Sequence, residues 1–284
     1  MTFVRASDGV QLHYESIGSA DKPTVLMIQG LGTDKHGWDL QRWALAGTFR
    51  TIALDNRGAG RSDKPQGVYS LERMADDAIA VLDHAGVASA HVIGASMGGG
   101  ISQIVAVKYP HRVRSLTLAC TSCRNHPWRE ELLSSWVTTA TNQGMGAMSA
   151  QAARWVIGPR SLRRIWPALG WLGPLGAKRV VHGFAGQVAA ILSVDVDMAG
   201  ELSQLAMPAL VVVGNQDILT PRGDSEELAE LIPLAELVVI SGAAHGLMVE
   251  HARTFNRILI EFLERAEASL SSSGLCAVPS ASRE

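Results

Sequence analysis

The sequence predicts an α/β fold in which helices cover both faces of an open, mostly parallel sheet. Short apolar runs alternate with segments of helical period along most of the chain, a pattern typical of βαβ units. Two runs, at 24–28 and 209–213, are apolar almost throughout, as expected of parallel strands that are buried on both faces. Ligands of such sheets bind beyond the carboxyl ends of the strands, so the residues that follow each strand are the first candidates for a site.

The elements are expected in a regular order along the chain. The pattern predicts strands at 10–16, 24–28, 50–54, 113–118, 209–213 and 236–240, with a further strand ending near Ile93. Helical spacing is expected at 38–46, 71–85, 101–109, 225–231 and 253–266, and Pro110 ends the third of these helices. We expect the last residues, 269–284, to form a disordered tail, because they are rich in Ser and Ala and lack periodicity.

Composition excludes several classes of protein. The 284 residues are 47% hydrophobic and 18% charged, which argues against a disordered chain, and the formal net charge of -2 favours neither nucleic acid nor an anionic membrane as a partner. No apolar segment is long enough for a signal peptide or a membrane span, so a cytoplasmic protein is expected. The oligomeric state stays open, and a homodimer is one alternative.

The three cysteines do not form a disulfide framework. Cys120 and Cys123 have the spacing of a redox motif, but they follow a predicted strand instead of opening a helix, which favours two small buried residues. The histidines are scattered without the spacing of a metal site, and we expect no metal and no cofactor.

Strand–helix alternation stops between residues 121 and 204. This stretch contains five of the seven tryptophans and is predicted to be a helical cap, inserted between core segments 1–120 and 205–268. Trp128, Trp136 and Trp155 are its candidates for lining a substrate pocket, although each one alone is better explained by packing. Arg154 and Arg160 are candidates for an anionic substrate group, with a solvated surface as the favoured alternative.

The motif Gly94-Ala-Ser96-Met-Gly98 lies between a predicted strand and a predicted helix. A serine hydroxyl is a poor nucleophile unless it is exposed, held beside a base and placed near backbone N–H groups, and a sharp strand-to-helix turn supplies both exposure and donors. Gly94 and Gly98 allow that turn to be tight. Ser96 is therefore the candidate nucleophile.

Two further residues complete a candidate triad. His245 follows the last predicted strand in the small-residue loop Ser-Gly-Ala-Ala-His-Gly, and it is the candidate base. Asp217 follows the strand at 209–213 and is the candidate carboxylate that orients the imidazole, with Asp195 and Asp197 as weaker alternatives.

Backbone groups are expected to bind the oxyanion. One donor is the N–H of Met97, the residue after the nucleophile, and the other is the N–H of Leu31 in the loop Gln29-Gly30-Leu31-Gly32. Gly30 permits close approach of the two loops, and Gln29 supports its own loop.

With these motifs in place, the chain resembles the α/β-hydrolase superfamily from Val10 to Ala266. The resemblance rests on Gly94–Gly98, Asp55–Ser62, Gly214–Asp217 and Gly242–Gly246, and within the superfamily the chain looks like compact esterases, enol-lactonases and perhydrolase-type enzymes with a helical cap. It implies a Ser–His–Asp enzyme that uses neither metal nor cofactor and acts on a small to medium ester or lactone. The superfamily commonly has His-Gly in the oxyanion loop, where this chain has Gln29-Gly30.

Other functions stay open at this point. The same triad supports C–C bond hydrolysis, perhydrolysis or hydroxynitrile lysis, and a ligand receptor on the same scaffold is a further, less favoured alternative because all three triad members are present.

Overall fold

A computed structural model describes residues 2–159, 161, 180–193 and 198–272. Its centre is one eight-stranded sheet with the strand order β1-β2-β4-β3-β5-β6-β7-β8. The strands are β1 (Thr2–Arg5), β2 (Gln11–Ile17), β3 (Thr24–Ile28), β4 (Arg50–Leu54), β5 (Ala90–Ala95), β6 (Val113–Ala119), β7 (Ala209–Gly214) and β8 (Ala235–Ile240). β2 pairs antiparallel with β1 on one side and with β4 on the other. The remaining pairings, which join β4, β3, β5, β6, β7 and β8 in that order, are all parallel.

Helices cover both faces of this sheet. They are α1 (Asp39–Leu45), α2 (Leu71–His84), α3 (Met97–Lys108), α4 (Pro127–Gln143), α5 (Met145–Val156), α6 (Val181–Leu192), α7 (Ala199–Leu202), α8 (Arg222–Leu231), α9 (Leu247–Glu250) and α10 (Ala252–Ser272). Successive side chains of β3 point to opposite faces: Leu26 and Ile28 pack in the core shared with α2, α3 and α8, while Val25 and Met27 pack with α1 and α10. Burial on both faces is the reason that β3 is apolar.

The parallel register brings the carboxyl ends of six strands, β3 to β8, to one edge of the sheet. Ile28 of β3 pairs with Gly94, Ala95 of β5 with Ala119, and Gly214 of β7 with Ile240. The loops after these strands therefore open side by side, which is the arrangement that the predicted site requires.

The predicted fold class is confirmed, with three differences in the elements besides the start of α3, which lies at Met97 instead of the predicted residue 101. The short edge strand β1 was not expected, because four half-exposed residues give too weak a pattern to recognise. α8 begins at Arg222, three residues before the predicted start, directly after Pro221.

The third difference lies at the C-terminus, where α10 continues to Ser272 and the predicted tail start at residue 269 is wrong. The hydroxyls of Ser269 and Ser271 donate to the carbonyls of Arg265 and Glu267 one turn earlier, so these serines continue the helix. The rest of the predicted tail lies outside the described residues.

Among the described residues, no helix is both long and apolar enough to cross a membrane. Cys120 and Cys123 are buried and each carries a free thiol, so they do not form a disulfide with each other.

Candidate active site

Ser96 occupies the sharp turn between β5 and α3. Its backbone adopts φ 53° and ψ −121°, a conformation that is costly for a residue with a side chain and that is found at strained functional turns. The turn is held from both sides, because the Ser96 N–H donates to the Ala119 carbonyl over 3.0 Å and the Thr121 hydroxyl donates to the Ser96 carbonyl over 2.8 Å. The surrounding structure thus maintains the strained backbone of the candidate nucleophile.

The two motif glycines permit close packing around this turn. A Cβ atom on Gly98 would lie 2.2 Å from the Ile28 carbonyl oxygen, and one on Gly94 would lie 2.1 Å from the Gly98 carbonyl oxygen. Main-chain atoms of two elements occupy the space, so any side chain at either position would separate α3 from the sheet.

Two backbone N–H groups in the segments that meet at Ser96 have no acceptor within the described part of the chain. They belong to Leu31 and Met97, the residues predicted to bind an oxyanion, and Met97 is the first residue of α3, where N–H groups have no partner inside the helix. A Cβ atom on Gly30, the residue before Leu31, would lie 3.1 Å from the Ser96 Cβ atom. The neighbouring Gly30 N–H is already used, since it donates to the side-chain oxygen of Gln29 over 2.8 Å. Because the Gly32 N–H also has an acceptor, the Gln187 side chain, Leu31 is the residue between these two glycines whose N–H is free among the described residues.

His245 and Asp217 form a hydrogen-bonded pair beyond the ends of β8 and β7. The Nδ1 atom of His245 lies 2.9 Å from a carboxylate oxygen of Asp217, and both residues are buried. Because Nδ1 is engaged with the carboxylate, Nε2 is the ring nitrogen left to accept a proton from a nucleophile.

The Asp217 carboxylate is held by several donors in addition to the imidazole. The N–H groups of Leu219 and Thr220 and the hydroxyl of Thr220 all donate to it over 2.9 Å. Burial raises the pKa of Asp217, but the charge and hydrogen bond of His245 and the Thr220 bonds outweigh it, so the pKa is lowered from its ordinary value. The carboxylate stays ionised and can stabilise a protonated His245.

Strand pairing relates this pair to Ser96. Ala95 at the end of β5 pairs with Ala119 at the end of β6, and Ser96 and Cys120 are the residues that follow them. Neighbouring strands are about 4.8 Å apart, so Ser96 and Cys120 lie side by side. Cys120 in turn lies within 4.8 Å of the Asp217 and His245 ligand atoms. Within the described part of the chain, the Ser96 hydroxyl makes no hydrogen bond to His245 or to any other group.

The inserted helices, defined here as α4, α5 and α6, contact the loops that carry these groups. Gln187 of α6 is fully buried; its side-chain oxygen accepts from Gly32 N–H and its amide donates to the Arg57 carbonyl, both over 2.8 Å. At the end of α5, the Val156 carbonyl accepts the N–H of Gly246, directly after His245, over 2.7 Å. Both the predicted oxyanion loop and the loop that carries the candidate base are thus tied to the inserted helices.

The three tryptophans predicted to line a pocket occupy different positions. Trp136 is 3% exposed and packs in an apolar cluster of the inserted helices that reaches Leu31 and Leu219, and Trp155 packs against the same cluster. Trp128 lies outside that cluster; it is 39% exposed and its ring stacks on Trp155. Of the other predicted residues, Arg160, Asp195 and Asp197 lie outside the described part of the chain.

Three contacts of the site were not predicted from the sequence. Thr220 bonds both Asp217 and His245, and its position three residues after Asp217 is the local signal that could have identified it. Cys120 directly follows the strand beside Ser96, which is also a recognisable position. Gln187 lies in a segment without any motif, so the sequence carried no signal for it.

Comparisons with known proteins agree with this architecture. A family model described as the alpha/beta hydrolase fold matches residues 23–144. The crystal structure of a hydrolase from Pseudomonas aeruginosa is similar at 32% identity and TM-score 0.85, covering 92% of this chain and 97% of that one. The chain therefore belongs to the α/β-hydrolase superfamily, as its motifs predicted.

More particular similarities lie within that superfamily. The 3-oxoadipate enol-lactonase 2 of Acinetobacter baylyi is 29% identical over 260 residues, which cover 90% of this chain and 94% of that protein. The crystal structure of the enol-lactonase from Burkholderia xenovorans is 27% identical with TM-score 0.85, covering 93% of this chain and 100% of that one.

Proposed function

We propose that the protein is a serine hydrolase that cleaves small to medium carboxylic esters or lactones through an acyl-enzyme. The observation that carries the proposal is the His245–Asp217 pair, 2.9 Å apart, at the same sheet edge as the strained turn of Ser96. The names of the enol-lactonase relatives support a lactone among the substrates.

The reaction follows from these positions. The Ser96 oxygen attacks the substrate carbonyl while its proton passes to Nε2 of His245, and Asp217 stabilises the resulting imidazolium. The free N–H groups of Leu31 and Met97 receive the negative oxygen of the tetrahedral intermediate. His245 then protonates the leaving alcohol, and a water molecule, deprotonated by the same imidazole, hydrolyses the acyl-enzyme.

The inserted helices act in this proposal as a cap over the site. Their bonds reach Gly32, next to Leu31, and Gly246, next to His245, and the cluster around Trp136 offers apolar contact to the acyl or alcohol part of a substrate.

The decisive variant is Ser96→Ala. We expect turnover of p-nitrophenyl acetate and of 3-oxoadipate enol-lactone to fall about 10⁶-fold, because removing the nucleophile of a triad removes most of its rate enhancement. Ser134→Ala, which alters an exposed serine of α4, is the matched control and should keep the rate of the unmodified protein.

A covalent probe distinguishes loss of chemistry from loss of fold. A fluorophosphonate should label Ser96, identified by peptide mass spectrometry, in the unmodified protein and in Ser134→Ala but not in Ser96→Ala. Unchanged ester turnover in a folded Ser96→Ala protein would exclude the acyl-enzyme. A panel that adds a β-diketone, a cyanohydrin and peracid formation separates the proposed activity from the other reactions open to the triad.

A further inference from the structure

Cys120 is a buried thiol that the proposed mechanism does not use, and it lies against the candidate triad. It directly follows β6 and is one of two non-glycine residues with positive φ in the described part of the chain, the other being Ser96. Its N–H donates to the Val212 carbonyl over 2.9 Å, which fixes this conformation between the strands that carry Ser96 and Asp217.

Three different ligand types meet at this point. The Cys120 sulfur, an Asp217 carboxylate oxygen and a His245 ring nitrogen all lie within 4.8 Å of one another, and all three residues are buried. Burial and the neighbouring Asp217 charge raise the pKa of the Cys120 thiol, so without a cation it stays protonated.

Thiolate, imidazole and carboxylate are the ligands that Zn²⁺ prefers in proteins. At bond lengths of about 2.3 Å to sulfur and about 2.0 Å to nitrogen, tetrahedral coordination separates those two ligand atoms by about 3.6 Å. The ligand atoms of Cys120, Asp217 and His245 are up to 4.8 Å apart. To bind one metal ion they would have to move about 1 Å closer together, which side-chain rotation allows. The single carboxylate makes the set a poor site for Mg²⁺ or Ca²⁺, which prefer several oxygen ligands.

We propose that Cys120, Asp217 and His245 form a binding site for a thiophilic divalent cation, Zn²⁺ or Cd²⁺, and that its occupation stops catalysis. The thiol proton leaves to solvent as the metal–sulfur bond forms, and no group is oxidised or reduced. One thiolate and one carboxylate then balance the two positive charges, so the buried site carries no net charge. A water molecule completes the coordination.

Inhibition follows from the tautomer of the imidazole. When Nδ1 of His245 gives its lone pair to the metal, the ring proton moves to Nε2, which can no longer accept a proton from Ser96. This second part rests on the proposed function, whereas binding of the cation does not.

Cadmium titration tests the binding part directly. Adding CdCl2 to the full chain should produce the ultraviolet absorption of a cadmium–thiolate bond at one equivalent, and Cys120→Ser should abolish it. Cys123→Ser is the matched control and should keep the band, because Cys123 is a separate buried thiol that takes no part in the cluster. Cys120→Ala is the second variant if the serine variant does not fold.

Zinc titration of activity tests the second part. ZnCl2 should inhibit the unmodified protein, and Cys120→Ser should need at least about tenfold more ZnCl2 for the same inhibition, each measured against its own metal-free rate. An unchanged band or unchanged zinc sensitivity in the Cys120 variants would overturn the site, as would absence of the band in the unmodified protein. Cadmium binding without any esterase or lactonase activity would instead leave the site standing and reject the proposed function.

Discussion

Gln187 is the residue whose replacement tests most sharply how the inserted helices support the site. Its side chain is fully buried and joins the predicted oxyanion loop to the loop after β4 through two 2.8 Å hydrogen bonds. Leucine has a similar size but neither polar atom, so Gln187→Leu would leave the Gly32 N–H and the Arg57 carbonyl without partners.

The expected cost follows from those two groups. A buried polar group without a partner costs about 1–3 kcal/mol, so the two together correspond to about 2–6 kcal/mol of unfolding free energy. The Gly32 N–H is only partly buried and can recruit water, which places the expectation at about 2–4 kcal/mol.

Catalysis should change separately from stability. Gly32 lies next to Leu31, and the loss of one oxyanion donor typically lowers kcat by about 100-fold or more. A loosened loop would lose part of that interaction, so we expect kcat on p-nitrophenyl acetate to fall by about tenfold to 100-fold, with a smaller change in KM.

Urea unfolding measures the first effect, and steady-state kinetics with a boronic acid transition-state analogue measures the second. Ser193→Ala is a suitable control, since that hydroxyl follows α6 and donates only to the Ala190 carbonyl. If Gln187→Leu is destabilised but keeps both kcat and the affinity for the boronic acid, the oxyanion loop does not depend on this residue and the reasoning is wrong.

Two further predictions concern the fold that holds the site. Gly98→Ala should abolish the folded protein, because the new Cβ atom would lie 2.2 Å from a main-chain oxygen of β3. Gly146→Ala is the control and should fold, because a Cβ atom at that position has no neighbouring atom within 4 Å. Soluble yield and circular dichroism compare the two variants. Burial raises the pKa of Glu267, but bonds from His91 and Arg114 lower it to about 2, so its contribution to stability is complete above its ordinary pKa of 4.5 and is lost as pH falls toward 2. Glu267→Gln should flatten the dependence of the unfolding free energy on pH in that window, and an unchanged slope would contradict the assignment.

Much of the architecture could be predicted because its signals are local. The apolar run of β3 and the strand–Ser96–helix pattern each lie within a few residues, and backbone sterics and burial act at that range. The candidate triad could be named for a related reason. Ser96, Asp217 and His245 each follow a strand, and parallel strands bring such positions to one edge.

The elements that failed were those with weak or misleading local patterns. Four half-exposed residues did not identify β1, and Ser-rich composition concealed the last turn of α10, where hydroxyls bond to carbonyls one turn earlier. Composition measures an average preference, whereas those contacts depend on individual side chains.

The sequence by itself determined the layered α/β core and the order of the candidate triad residues, because burial periodicity and turn chemistry are properties of neighbouring residues. Only the tertiary structure decided what supports and surrounds those groups. Gln187 meets Gly32 across 155 residues, and Cys120 meets Asp217 and His245 from another strand. Contacts between residues so distant along the chain leave no periodic pattern, since they depend on how separate elements pack and not on the residues beside them.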